Sequence, residues 1–266
     1  MIIFSYKLYV FFLIISTFYQ NSRAEFSLDT IKNWFLGNQE EIVYKEEPFN
    51  KNGTLTLAND NGTITVKTWS SPKIAAEIIK IGSEKERDSV TITTALDKNN
   101  AQIKTINSHK HPKVLVHYNL IVPEQASLNI TSKKGIIKIK NAQGPITAIA
   151  HQGSITITNA AQSIHAHASD TINLSCLHIS LNNSITLKTI SGPIVLTMPV
   201  DTNAYVHAKT EYGTVTSDHF ISLKPITSKL NHHAWTRFKR EVQGTIGNGG
   251  ASINLTSEYG AIKLLE

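Results

Sequence analysis

Lys134-Gly135-Ile136-Ile137-Lys138-Ile139, followed by Gln143-Gly144-Pro145-Ile146 and by Gln152-Gly153-Ser154-Ile155-Thr156-Ile157, is the run that decides the fold. Each phrase places a polar residue and a glycine ahead of apolar residues that alternate with other ones. The glycine supplies positive φ where the chain bends, and the Ile-x-Ile alternation puts β-branched side chains on one face of an extended strand. The unit is therefore a turn followed by a strand. Gly135, Gly144 and Gly153 are nine residues apart, too close for a crossover helix between them. Two arrangements fit that period: successive antiparallel hairpins, or the sides of a β-solenoid coil. In the solenoid each turn of chain stacks on the last, and the apolar alternates fill a continuous interior.

The phrase recurs on both sides of this run. It stands earlier as Asn52-Gly53-Thr54-Leu55-Thr56-Leu57 and Asn61-Gly62-Thr63-Ile64-Thr65-Val66. Later it returns as Ser191-Gly192-Pro193-Ile194-Val195-Leu196, Tyr212-Gly213-Thr214-Val215 and Tyr259-Gly260-Ala261-Ile262-Lys263-Leu264. Gly53 and Gly62 are again nine apart, and Asn183 takes the glycine place nine before Gly192. Units without glycine, Gln162-Ser163-Ile164-His165-Ala166 and Asp170-Thr171-Ile172-Asn173-Leu174, keep the beat. A constant offset suits equivalent positions in stacked coils, whereas hairpins would alternate tight primed turns with unlike partners. The reading is an all-β chain built as a β-solenoid-like array, with a β-sandwich of short strands as the alternative.

Composition agrees. The chain has 266 residues, 41% hydrophobic and 17% charged, and is filled with Ile, Thr, Val, Asn and Ser, which excludes intrinsic disorder and coiled coil. Cys176 is the only cysteine, so no intrachain disulfide forms and stability comes from packing. Its setting, Leu174-Ser175-Cys176-Leu177, is that of a thiol serving as a small apolar side chain.

Residues 1–24 read as a signal peptide: Lys7 precedes the apolar run Leu8 to Ile15, and Ser22-Arg23-Ala24 offers small residues where a signal peptidase cuts. An uncleaved anchor is the alternative, although the run is shorter than the roughly 20 residues a bilayer needs. Cleavage removes Lys7 and Arg23 and no acid, which lowers the net charge from +6 to +4. No other stretch is long enough to span a membrane, so the expected location is periplasm, cell surface or secreted. Residues 25–43 read as helix and linker, with Leu28, Ile31 and Phe35 on one face of a short amphipathic helix that ends at Gly37 and caps the open end of the array. Residues 44–123 form a mixed β segment, with one helical turn over Ser83 to Asp88 and a hairpin turn at Asp97 to Asn100. Residues 124–266 form the repeat array.

The search for chemistry returns little. A polysaccharide-cleaving solenoid gathers carboxylates on one face, yet Asp170 is the one acid between Gly135 and Gly192. Asp201, Glu211 and Asp218 each sit beside a turn signal. No Gly-x-Ser-x-Gly elbow occurs, and Gly247-Asn248-Gly249-Gly250 lacks the Lys of a phosphate loop. Neither catalytic residues nor a cofactor are expected. Eleven histidines include His165 and His167, two apart on one strand face, the spacing of a metal-ligating pair, with His151 and His178 to either side. No Cys or carboxylate completes such a set, so the pair equally serves as an outer polar face while Ile164, Ala166 and Ala168 point inward. His109-Lys110-His111 lies in a turn. A basic segment carries Lys224, Lys229, His232, His233, Trp235, Arg237, Lys239 and Arg240; it reads as a solvated loop or as a binding patch. Without an arginine stripe or interleaved aromatics, nucleic acid is not an expected partner.

These residues together resemble the putative adhesin family, a domain-of-unknown-function group of exported bacterial β-repeat proteins, over about Tyr44 to Glu266. Three segments carry the likeness. Pro48 to Val66, ending at Trp69, is similar to the family's opening strands. Val116 to Ile130 resembles its strand, Val-Pro turn and first array strand, and Gln243 to Gly250 its terminal glycine-rich turn. The resemblance implies a β-solenoid-like fold and an envelope or extracellular location, and it implies no reaction. The glycine-poor units from Ala160 to Asn182 and the basic segment depart from it. The expected role is non-enzymatic, adhesin-like binding of an envelope or host-surface glycan or protein through an extended polar strand face. A structural or regulatory envelope module, acting through the N-terminal helix, is the alternative, and a polysaccharide-active enzyme the third.

Overall fold

The computed structural model describes residues 40–108, 113–223 and 240–266. The expected signal peptide, the helix over 27–37, His109-Lys110-His111 and most of the basic segment lie outside the described residues. The described residues begin with Glu40–Pro48 (β1), Thr54–Asn61 (β2), Ile64–Trp69 (β3) and Lys73–Ile81 (β4). A one-turn helix, Glu84–Asp88 (α1), leads to Val90–Leu96 (β5), Asn100–Asn107 (β6) and Leu115–Pro123 (β7). The array supplies Ser127–Lys134 (β8), Ile137–Lys140 (β9), Ile146–Gln152 (β10), Ile155–Ala160 (β11), Ile164–Ala168 (β12), Ile172–Cys176 (β13), Ser184–Thr189 (β14) and Ile194–Thr197 (β15). Ala204–Thr210 (β16), Val215–Ser217 (β17), Ile221–Leu223 (β18), Glu241–Ile246 (β19), Ala251–Ser257 (β20) and Ile262–Leu265 (β21) complete it.

Among the described residues the strands form two sheets. One has ten strands, in the order β1-β4-β7-β3-β9-β11-β13-β15-β21-β17, and the other eleven, in the order β18-β19-β16-β20-β14-β12-β10-β8-β2-β6-β5. From β8 to β17 successive strands alternate between the sheets, so each coil is two strands and two turns. Stacking is parallel and in register: Ile146 faces Leu128 and Ile164, and Ile155 faces Ile137 and Ile172. That parallel stacking decides for the solenoid over the sandwich. The alternating apolar residues meet between the sheets, where Leu128, Ile130, Ile137, Ile139, Ile155 and Ile157 are at most 1% exposed. Burial of each stabilises the stack by about 1.5–3 kcal/mol.

Gly62, Gly135 and Gly153 form a column along one edge of the stack, while Gly53 and Gly144 precede strands of the other sheet. Gly62, Gly135 and Gly153 have φ of 124°, 138° and 144°. A Cβ on Gly135 would lie 2.0 Å from the Gly62 carbonyl oxygen, and one on Gly153 1.9 Å from that of Gly135. On the other edge Asn141 and Asn159 take left-handed φ of 60° and 57°. The Asn159 side-chain amide donates to Asn141 Oδ1 at 2.9 Å, which joins two coils through a side-chain rung.

Chain order is not stacking order at the two ends. The coil β2/β3 sits between β6/β7 and β8/β9, and β20/β21 sits between β14/β15 and β16/β17. The expectation that each turn of chain stacks on the last therefore fails in these two places. The cause is antiparallel excursions: β4 runs back along β7, β5 pairs with β6, and β19 pairs with β16. At the first end a buried polar chain locks β2, β6 and β7. The Tyr118 hydroxyl donates to Thr105 Oγ1 at 2.6 Å, Thr105 donates to Asn59 Oδ1 at 2.9 Å, and the Asn59 amide donates to the Val116 carbonyl at 2.8 Å. The outermost strand, β1, is rich in Glu and Lys and ends in Pro48, a composition that discourages edge-to-edge pairing. Its Lys45 reaches Thr94 Oγ1 of the other sheet at 2.8 Å, over a small hollow lined by Ile74, Ala76, Ile78, Leu96 and Ile103.

Candidate binding surface

Because the inward positions are mostly apolar and alternate with outward ones, every second residue of each array strand faces solvent in a fixed row. On the eleven-stranded sheet one row runs Thr56, Asn129, Thr147, His165, Thr186, Asn254, His207, one residue from each of seven adjacent strands. Neighbouring rungs stand about 4.8 Å apart. The adjacent row is Ala58, Thr131, Ile149, His167, Lys188, Thr256, Lys209. Hydroxyls, amides and imidazoles thus form a flat grid with both donors and acceptors.

His165 and His167 lie on this face, with Ile164, Ala166 and Ala168 buried behind them. His165 is flanked by Thr147 and Thr186, and His167 by Ile149 and Lys188. Partial burial lowers the His167 pKa, and the charges of Lys188, His151 and His165 lower it further. A neutral imidazole is a ligand form, yet the Lys188 ammonium opposes a cation at this place. Among the described residues no three His, Cys, Asp or Glu side chains converge as a metal set would.

Lys224, Lys229, His232, His233, Trp235, Arg237 and Lys239 lie outside the described residues. Arg240 is exposed, and its carbonyl accepts the Thr210 N–H at 2.8 Å where the chain enters β19. Cys176 is half-buried, and burial pushes its thiol up to about 12, so at neutral pH it is not a nucleophile. His207 and Glu241 pair at 3.2 Å on the polar face.

His117 makes the stack sensitive to acid. Its Nδ1 accepts the Thr63 N–H at 3.1 Å, which requires the neutral ring, and burial holds its pKa below the ordinary 6.5 while the Glu40 charge partly offsets this. The unfolded chain therefore takes up the proton first, so the contribution of His117 to stability is present above about pH 6.5 and is lost as the pH falls through its lower folded-state pKa. The melting temperature is expected to drop between pH 7 and pH 5, and His117→Gln is expected to flatten that drop. Thermal unfolding of both proteins over this range checks it, and equal slopes would overturn the assignment.

In the repeat pattern Tyr212-Gly213 and Tyr259-Gly260 are turn units. The structure brings these two tyrosines together as a stacked, exposed pair. The signal that could have found them is the repeated tripeptide Glu-Tyr-Gly, at Glu211 and again at Glu258.

The sequence profile of the Toastrack DUF4097 family matches residues 46–265. The chain belongs to this family. The match begins within β1 and ends within β21, so the Toastrack domain takes in the coil stack together with the antiparallel strands at both ends. It is a domain of unknown function, and membership gives the fold without a reaction. Among solved structures the chain is similar to a putative cell adhesion protein from Clostridium sporogenes, with 10% identity, TM-score 0.43, and coverage of 84% of this chain and 99% of that one. It is also similar to a putative adhesin from Bacteroides fragilis, with 11% identity, TM-score 0.35, and coverage of 85% and 97%. A putative lipid binding protein from Parabacteroides distasonis shares 9% identity at TM-score 0.30, with coverage of 85% and 97%. No curated protein matches the chain. Among the described residues no helix is long and apolar enough to cross a membrane.

Proposed function

We propose that the protein is exported and acts as a non-enzymatic, adhesin-like binding module, holding an envelope or host-surface glycan or protein along the outer face of the eleven-stranded sheet. The observation that carries this reading is the unbroken row from Thr56 through Thr147, His165 and Thr186 to His207. Each hydrogen bond from such a grid contributes only about 0.5–1.5 kcal/mol net. Affinity therefore rests on many contacts engaged together, and the rigid coil spacing favours an extended ligand over a small one.

The test is binding of the purified chain, residues 25–266, to arrays of envelope glycans and host matrix components at two salt concentrations, with product release followed alongside. Saturable binding without turnover is expected. Replacing Thr147 and Thr186 together by Glu places two carboxylates in the row and is expected to weaken binding at least about tenfold, with an unchanged melting temperature. Loss of wild-type binding at the higher salt would move the contact to the basic segment. Released sugar product would overturn the non-enzymatic reading.

A further inference from the structure

Glu211-Tyr212-Gly213 and Glu258-Tyr259-Gly260 are identical tripeptides 47 residues apart in the chain. Thr210 pairs with Ser257, and Val215 with Ile262, so the two turns between are of equal length and the tripeptides stack position on position in neighbouring coils. The phenol rings lie with centroids 5.0 Å apart and planes 10° from parallel. Both stand out from the turn edge, Tyr212 63% exposed and Tyr259 54%.

The turns beneath the rings are fixed. The Tyr212 N–H donates to the Glu258 carbonyl and the Tyr259 N–H to the Ile190 carbonyl, each at 2.9 Å. Thr210 Oγ1 donates to the Gly260 carbonyl at 2.9 Å and accepts the Gly213 N–H at 3.0 Å. Ser257 Oγ accepts the Gly260 N–H and the Thr189 hydroxyl, both at 2.9 Å. The rings are therefore held in place before any ligand arrives, which lowers the entropic cost of binding.

Among the described residues the aromatic ladder has two rungs, with the outer face of Tyr212 exposed. On the far side of Tyr259, the register of Ile194 with Ile262 puts Ser191 at the corresponding place. On the far side of Tyr212 the ten-stranded sheet ends at β17, while in the other sheet β19 flanks β16 and the Arg240 carbonyl accepts the Thr210 N–H at 2.8 Å. Glu211 and Glu258 take equivalent places in the two turns. The Glu258 carboxylate holds up the Tyr259 pKa by hydrogen bond and charge, and the charge of Glu211 adds a smaller push in the same direction. Like charges in neighbouring rungs weaken a sheet, a cost that O–H donors seated against them offset.

We propose that this edge is a saccharide site, in which the flat C–H face of a neutral pyranose takes the next rung on Tyr212 while Glu211, with Glu258 one coil behind it, accepts hydrogen bonds from its hydroxyls. The negative face of an aromatic ring attracts polarised C–H groups. An ionised carboxylate only accepts hydrogen bonds, so it suits hydroxyls and repels uronic or sialic acids. The site lies on the turn edge, away from the strand face, and stands or falls separately from it.

The test titrates the purified protein with neutral tetrasaccharides of gluco, galacto and manno configuration, and with tetragalacturonate as the anionic probe, read by calorimetry and by near-UV tyrosine absorption. At least one neutral tetrasaccharide is expected to bind saturably at or below about 1 mM and to perturb the tyrosine signal. Tyr212→Ala is expected to weaken it at least about tenfold, Tyr212→Phe to stay within about threefold, and Glu211→Gln to weaken it severalfold. The Thr147 and Thr186 pair of substitutions should leave it unchanged. Thermal unfolding confirms that each variant folds, and the exposed Tyr212→Phe and Glu211→Gln carry the comparison should Tyr212→Ala lose structure. Failure of all three neutral probes to bind, wild-type affinity in Tyr212→Ala, or tighter binding of tetragalacturonate would each overturn the proposal.

Discussion

Gly153→Ala is expected to lower the stability of the folded chain by about 3–5 kcal/mol and its melting temperature by about 10 °C. Two costs combine. Gly153 has φ of 144°, a conformation an alanine adopts only under strain. The new methyl would also lie 1.9 Å from the Gly135 carbonyl oxygen. That oxygen is backbone of the next coil, so relief requires the coils to separate along the whole glycine column. Separation would lengthen the rungs on both sides, where the Gly135 N–H donates to the Gln152 carbonyl at 2.8 Å and the Asp170 N–H to the Gly153 carbonyl at 3.2 Å. The neighbouring substitution Ser154→Ala serves as the control and is expected to change stability by less than about 0.5 kcal/mol. Urea unfolding of the three proteins measures both differences. A Gly153→Ala chain as stable as wild type would show that the column is not held by close backbone approach.

This column is also why so much of the fold was legible in the sequence. A coil that must bend in the same way at the same height leaves glycine at Gly62, Gly135 and Gly153, and a continuous interior leaves Ile or Leu at alternate positions such as Ile137 and Ile139. Both constraints act locally and repeat, so they print a period on the chain. Asp170 shows where the constraint relaxes. It stands in the glycine column without positive φ, and the unit that holds it keeps the beat one residue short.

The ends of the stack left no such period. β4 could equally have followed β3 as another coil, since Ile74, Ala76 and Ile78 alternate as array residues do. Its antiparallel pairing with β7 depends on contacts between segments distant in sequence, which no local pattern records. The candidate sites divide along the same line. The outer strand face could be read from alternation alone, with His165 and His167 on it. The tyrosine pair could not, because Tyr212 and Tyr259 become neighbours only when β20/β21 is seated beside β16/β17.

That seating predicts the second large effect. Removing residues 247–266, which carry the glycine turn, β20 and β21, is expected to leave β16–β19 unfolded while the coils from β8 to β13 stay intact. The segment buries Ile253, Leu255, Ile262 and Leu264, together worth about 6–12 kcal/mol. It is the parallel partner of β14 and β16 in one sheet and of β15 and β17 in the other. Without it Ile185, Leu187, Ile194 and Leu196 on one side, and Val206 on the other, lose the coil that covers them. β16 keeps only its antiparallel pairing with β19, to which the three-residue β18 adds, and so small a sheet, with no coil left to cover its apolar face, is marginal in water. In a stack whose stability is a sum of nearest-neighbour terms, loss of one coil spreads no further than the coils it touched. Limited proteolysis with mass analysis of the protected core checks this, with cleavage expected beyond β15 and protection from β8 through β13. Protection extending unbroken to Leu223 would mean that β16/β17 docks on β14/β15 without the inserted coil, and that the late strands cover a stack already complete.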